Sequence, residues 1–190
     1  MMEIEKIIAC DDGEVKKLGY GKTVISCISY REVWPENIKI GIIHTDGLDA
    51  TSIISYLIKI LSNGKKSIVL FDSITIAGFN VISLPGIEKL TGFPSIVIYS
   101  YKPSVKNLLD ALRPHFKDSE IRELAINQIK SYKKIESKKG ILYIVNWGVN
   151  TEDAIEIINS YQFYSRIPEP LRISHIISSQ VSKIINPYIN

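Results

Sequence analysis

Cysteine is scarce in this chain. Cys10 and Cys27 are the two in 190 residues, and neither belongs to a C-x-x-C pair or another metal or redox spacing. Both sit in strand-like apolar runs, which reads as two buried thiols in a reducing cytoplasm. Histidine is scarce as well, three in all, and no pair has the spacing of metal ligands. No window approaches the roughly 18 apolar residues of a membrane span. The amino-terminal MMEIEKIIACDDGEV lacks an apolar stretch of signal-peptide length, so a soluble, cytoplasmic protein is expected. Internal repeats, low-complexity tracts and linkers are also missing, and one domain over residues 1–190 is expected. A net charge of +3 neither demands nor excludes a polyanionic partner, which a local basic surface would have to hold. The cluster Lys130, Lys133, Lys134, Lys138 and Lys139 reads as solvated surface, with phosphate contact as the alternative.

What is present is globular: 45% hydrophobic and 23% charged residues. Three β-branched runs, Lys6 to Cys10, Thr23 to Tyr30 and Ile38 to Thr45, have short turn-like connections and predict an antiparallel meander. A helix capped by Asp49 or Thr51 follows and stops at Asn63-Gly64. SIVLFD and PSIVIYS then read as strands buried on both faces. Further helices are expected over SVKNLLDALRPHF, Ser119 to Lys133, Thr151 to Ser160 and from Glu169 or Pro170 to about Ile185, with a strand over Ile141 to Trp147. The expected fold is α/β, a mixed sheet whose first three strands are antiparallel, with helices on both faces.

Acids stand at three strand ends: Asp11-Asp12, Asp46 with Asp49 close behind, and Asp72. If strands one and four are parallel neighbours, these ends share one edge of the sheet. Gathered carboxylates repel and raise one another's pKa, and a divalent cation relieves that repulsion. Oxygen-only donors suit Mg2+ or Mn2+ better than zinc. Ions held this way, with positions open for water and a phosphate oxygen, serve phosphodiester hydrolysis. Structural readings compete. Asp49 can cap the helix, Asp46-Gly47 can be a turn, and one of Asp11 and Asp12 should point inward and the other outward. Asp72 is the hardest to explain without a partner, because a charge ending a buried strand is costly. Lys102 can reach the same edge, and Glu169, Arg172 and His175 sit near the start of the last helix behind a rigid proline. Gly78, Phe79 and Asn80 form a loop for a base or a packed turn. GYGKT is not a phosphate loop, since Lys16 stands where the first glycine belongs.

Taken together, CDDG, TDGLDAT, FDSITIAGFN, YKP and IPEPLRISHII resemble the archaeal endonuclease dU family, a relative of endonuclease V, from near residue 10 to near residue 178. The resemblance implies a ribonuclease H-like fold and metal-dependent cutting of DNA at deaminated bases, with deoxyuridine the implied target. It places Asp11 or Asp12 at the first-strand aspartate of the endonuclease V pattern, Asp72 at its Asp-Gly aspartate and Lys102 near its lysine. Ser73 replaces the glycine of that motif, and Asp46 or Asp49 would fill the place of a glutamate. His175 follows Arg172 instead of preceding an arginine, and the PYIP-like wedge has no counterpart. The expected site is Asp11, Asp12, Asp46, Asp49 and Asp72 around one or two Mg2+ ions. Lys102 and Arg172 would steady charge, and an extruded uracil would sit near Ala77 to Asn80. The rivals are a non-catalytic nucleic-acid binding module of the same fold, and a nuclease acting on RNA or on hypoxanthine-containing DNA.

Overall fold

The computed structural model describes residues 4–16 and 18–190. The chain opens with the meander β1 (Lys6–Asp12), β2 (Lys22–Arg31) and β3 (Trp34–His44), followed by α1 (Ala50–Ser62) and β4 (Ser67–Phe71). A short hairpin, β5 (Thr75–Ile76) and β6 (Asn80–Val81), leads to α2 (Leu84–Thr91), β7 (Ser95–Tyr99), α3 (Val105–Leu112) and α4 (Ser119–Ile126). The chain finishes with β8 (Lys133–Ser137), β9 (Gly140–Trp147), α5 (Thr151–Ser160) and α6 (Glu169–Ile189). Among the described residues the main sheet has seven strands in the order β3-β2-β1-β4-β7-β9-β8. β1 pairs antiparallel with β2 and parallel with β4, and β4 is parallel to β7. This is the mixed sheet with an antiparallel opening meander that the patterning predicts.

Each face of the sheet carries its own core, and the alternation along β1 separates them. Ile8 and Cys10 join Ile25, Ile54, Ile58 and Phe71 beneath α1, whereas Ile7 and Ala9 join Ile28, Leu70, Ile158 and Leu171 beneath α5 and α6. α6 lies close on β1 and β2 because a polar stripe of small residues at helical spacing, Ser174, Ser178, Ser182 and Asn186, forms its buried side. Ser174 bonds Ser26, Ser178 Oγ donates to the Asp12 carbonyl, and Ser182 Oγ accepts from Glu14 N–H. A Cβ on Gly13 would stand 2.4 Å from that of Ser182, so glycine is what lets the helix approach. This packing delivers the first turns of α6 to the carboxyl ends of β1 and β4.

Four expectations are corrected. Cys10 and Cys27 are not free thiols but a disulfide, formed because the β1/β2 register sets them directly opposite each other, which spacing in the sequence does not reveal. The helix expected over Ser119 to Lys133 ends at Ile126; a single 3-10 turn, Asn127–Ser131, follows, and Lys133 and Lys134 belong to edge strand β8. The third strand begins at Trp34 because Glu32, with φ at 51°, closes a tight turn ahead of it. Asp11 is buried, and Asp12, expected to point outward, is half-buried on the other face, where it accepts the Ala77 N–H. The first three residues of the sequence considered for a signal peptide lie outside the described residues. Among the described residues no helix is long and apolar enough to cross a membrane.

Candidate active site

Cys10 is level with Phe71 in the parallel β1/β4 ladder, so the next residue on each strand, Asp11 and Asp72, also fall side by side. The two carboxyls act on each other, and burial drives both pKa values up. Asp11 reaches about 9, through burial first and then the neighbouring charges of Asp72 and Asp12. Asp12 is raised to about 6 by burial, which the N–H of Ala77, donating to its Oδ2 at 2.7 Å, only partly offsets. In Asp72 the charge of His175 and the N–H of Ser73 oppose the effect of burial. Ser73 also bonds Thr75 through its hydroxyl and so shapes the turn after Asp72.

α6 completes the group. His175 Nδ1 lies 2.7 Å from Asp11 Oδ2, with the ring largely exposed and the carboxyl 4% exposed. One turn earlier Arg172 grips Glu169 through two bonds, Nε to Oε2 at 2.7 Å and Nη2 to Oε1 at 2.5 Å. Asp11, Asp72, Arg172 and His175 line an open cleft of about 580 Å3 together with Tyr99 to Pro103, including Lys102. The sequence reading missed Tyr99. Its hydroxyl accepts the Ile74 N–H at 3.3 Å, and burial raises its pKa. The available signal was its place near the end of the apolar strand run PSIVIYS.

The other expected site residues lie outside this group. Asp46, at a φ of 54°, uses its carboxylate to accept the N–H of Phe79 at 2.6 Å and that of Gly19. Asp49 does not cap α1 with its side chain; it holds His44 Nδ1 at 2.8 Å and Asn80 Nδ2 at 2.6 Å. Burial works against its charge, but these bonds outweigh that and keep its pKa below the usual carboxylate range. Asn80 in turn accepts the Ala50 N–H at the start of α1 and donates to the His44 carbonyl. Phe79 packs edge-on to Phe116. Gly78, Phe79 and Asn80 are thus tied to Asp46, Asp49 and Phe116, and Asp46 and Asp49 do not join the Asp11–Asp72 pair. Gly78→Ala should destabilise the fold by about 1–3 kcal/mol through strain at its positive φ. Its Cβ would stand 2.2 Å from Asp46 Oδ1, and the φ is 84°. A thermal melt would read the loss.

Hard, oxygen-only donors pressed together against their own repulsion fit a divalent cation of the magnesium type. Among the described residues no three acidic, histidine or cysteine side chains form a ready-made cage. Asp12 turns its carboxylate onto the Ala77 N–H. Two carboxylates, with water and substrate phosphate completing the shell, is an ordinary way to hold Mg2+.

The sequence model of the family described as endonuclease dU matches residues 4–182. The chain belongs to the endonuclease dU family. A relative in this family, a UPF0215 protein of Aeropyrum pernix, is 36% identical over 183 residues, covering 94% of this chain and 98% of the relative. Among solved structures, a protein of unknown function from Archaeoglobus fulgidus superposes with a TM-score of 0.81 at 21% identity, covering 93% of this chain and 97% of that one. Endonuclease V of Ciona intestinalis, in complex with a DNA containing an inosine followed by a ribo-adenosine, superposes with a TM-score of 0.63 at 12% identity. That match covers 96% of this chain and 87% of the other. Family and fold together support a nuclease, and in this endonuclease dU member the acids at the ends of β1 and β4 are the candidates for its chemistry.

Proposed function

We propose that the chain is a Mg2+-dependent DNA endonuclease that cuts a phosphodiester near a deaminated base, deoxyuridine first. The observation that carries the proposal is the Asp11–Asp72 pair at adjacent parallel strand ends, buried and open to a cleft rimmed by Lys102, Arg172 and His175. Asp11 and Asp72 would hold the ion, with Asp12 beside them. Bound there, Mg2+ would lower the pKa of water and neutralise charge on the phosphate. His175, anchored through Nδ1 to Asp11, presents its exposed ring edge to the cleft, where it can take up or deliver a proton. Arg172, fixed by Glu169, and Lys102 in the same cleft set positive charge where the phosphate backbone would pass. Uracil is cheap to extrude from a mismatch, and the cleft beside Asp72, of about 580 Å3, has room for it. The inosine DNA bound by the Ciona endonuclease V supports a deaminated base as the class of target.

The test is an end-labelled duplex with one deoxyuridine, beside a hypoxanthine twin and an undamaged control, in Mg2+ or EDTA. One Mg2+-dependent cut near the uracil is expected. Cutting of the hypoxanthine strand alone would replace the base assignment, and intact DNA under every metal condition, with binding retained, would make the protein a binding module. His175→Gln should retain binding but lower single-turnover cleavage by about 10²–10⁴-fold, the usual contribution of a positioned acid or base.

A further inference from the structure

We infer that two tyrosine–arginine pairs at the mouth of the acidic cleft, Tyr101 with Arg166 and Tyr164 with Arg172, are stacking platforms for the bases of unpaired nucleotides beside the scissile phosphate. The inference rests on the nuclease reading above and deepens it to how the substrate is gripped. Tyr101 stands between Ser100 and Lys102, and Tyr164 precedes Ser165; all three neighbours line the cleft that holds Asp11 and Asp72. Tyr101 and Tyr164 are 80% and 81% exposed and pack into neither core, so their rings are free to meet a ligand.

Each ring is braced from one side by a guanidinium, leaving its other surface to solvent. Arg166 Cζ lies 5.6 Å from the Tyr101 centroid and Arg172 Cζ 5.9 Å from that of Tyr164. The arginines are themselves tied down, Arg166 to the Ile141 carbonyl at 3.2 Å and Arg172 to Glu169. A flat ring backed by a fixed cation, one on each of two segments flanking a catalytic cleft, matches what single-stranded nucleic acid needs: a π-face for a base and positive charge for the adjoining phosphate.

The test uses DNA carrying 2-aminopurine on either side of the deoxyuridine, in EDTA so that binding is read without cutting, followed by single-turnover cleavage in Mg2+. Wild type should change the 2-aminopurine fluorescence on binding. Tyr101→Ala and Tyr164→Ala should each lose that change on one side and weaken binding by about 5- to 100-fold, as expected for one lost base stack. Tyr→Phe at either position should restore both, because stacking needs the ring and not the hydroxyl. Alanine variants that bind and quench like wild type, or phenylalanine variants as weak as alanine, would overturn the inference while leaving the nuclease reading intact. Wild type that quenches the probe and never cuts would sink the nuclease reading and keep the platforms; wild type that does not bind DNA would sink both.

Discussion

Asp72→Asn should make the metal-free protein more stable and remove its cleavage activity. The aspartate sits buried against Asp11, and burial raises the pKa of both carboxyls, so each charge is held at a cost. A folded-state pKa above the unfolded value means that the native state binds more protons than the unfolded chain, and stability therefore falls as pH rises. The window runs from the ordinary carboxylate value of 3.8 through about 6, where Asp12 titrates, toward about 9 for Asp11. In EDTA the wild-type Tm should drop steadily across that window, and saturating Mg2+ should recover it, most at the alkaline end. Asparagine at position 72 keeps the shape and removes one charge, which should stabilise by about 1–4 kcal/mol at pH 8, each kcal/mol being about 2–4 °C in a chain of this size. The same variant should lose about a thousandfold or more in single-turnover cleavage, since several kcal/mol of metal-borne stabilisation go with the ligand. Calorimetry at pH 5 and pH 8 with a cleavage assay on the same preparations measures both. A variant less stable than wild type at pH 8 would show that Asp72 is a structural partner instead of a strained one.

Arg122→Met should be the most destabilising single change away from the acids. Arg122 is 3% exposed and donates to the carbonyls of Asp46, Gly47 and Phe79 as well as to both oxygens of Asp118, with its guanidinium carbon 4.3 Å from the Phe116 ring centroid. One side chain thus ties the turn after β3 to the loop that presents Ala77 to Asp12. Methionine fills the space but leaves three carbonyls and a carboxylate without their donor, at a cost of about 3–5 kcal/mol. Lysine should not rescue, because a single ammonium cannot serve that fan of acceptors. Asp118→Asn, which keeps the carbonyl contacts and alters a half-exposed group, should cost about 1 kcal/mol or less. Urea melts of the three variants would rank them.

The strand pattern and the acids that end β1 and β4 were legible in the sequence because both follow from short-range periodicity: apolar runs stop at a carboxylate. The same rule misled at Asp46 and Asp49. β3 does run in the direction of β1, but it is the outermost strand, and at about 4.8 Å per strand its end lies roughly 10 Å from β1 and 14 Å from β4. Sheet order, not strand direction, decides which acids meet. The Cys10–Cys27 bond, the contact of His175 with Asp11, and the reach of Arg122 into three carbonyls depend likewise on register or on separations of up to 164 residues, which no window of sequence displays. Lys102, Arg172 and His175 were readable as candidates from their place after a strand end or a helix start, though not as lining one cleft.

Asp11 and Asp72 are the proposed seat of the metal, and a crystal soaked in Mn2+ and measured at the manganese absorption edge tests that directly. An anomalous peak is expected between the two carboxylates, within about 2.5 Å of an oxygen of each, and absent in Asp72→Asn. A peak at Asp46 or Asp49, or none anywhere at saturating Mn2+, would contradict it.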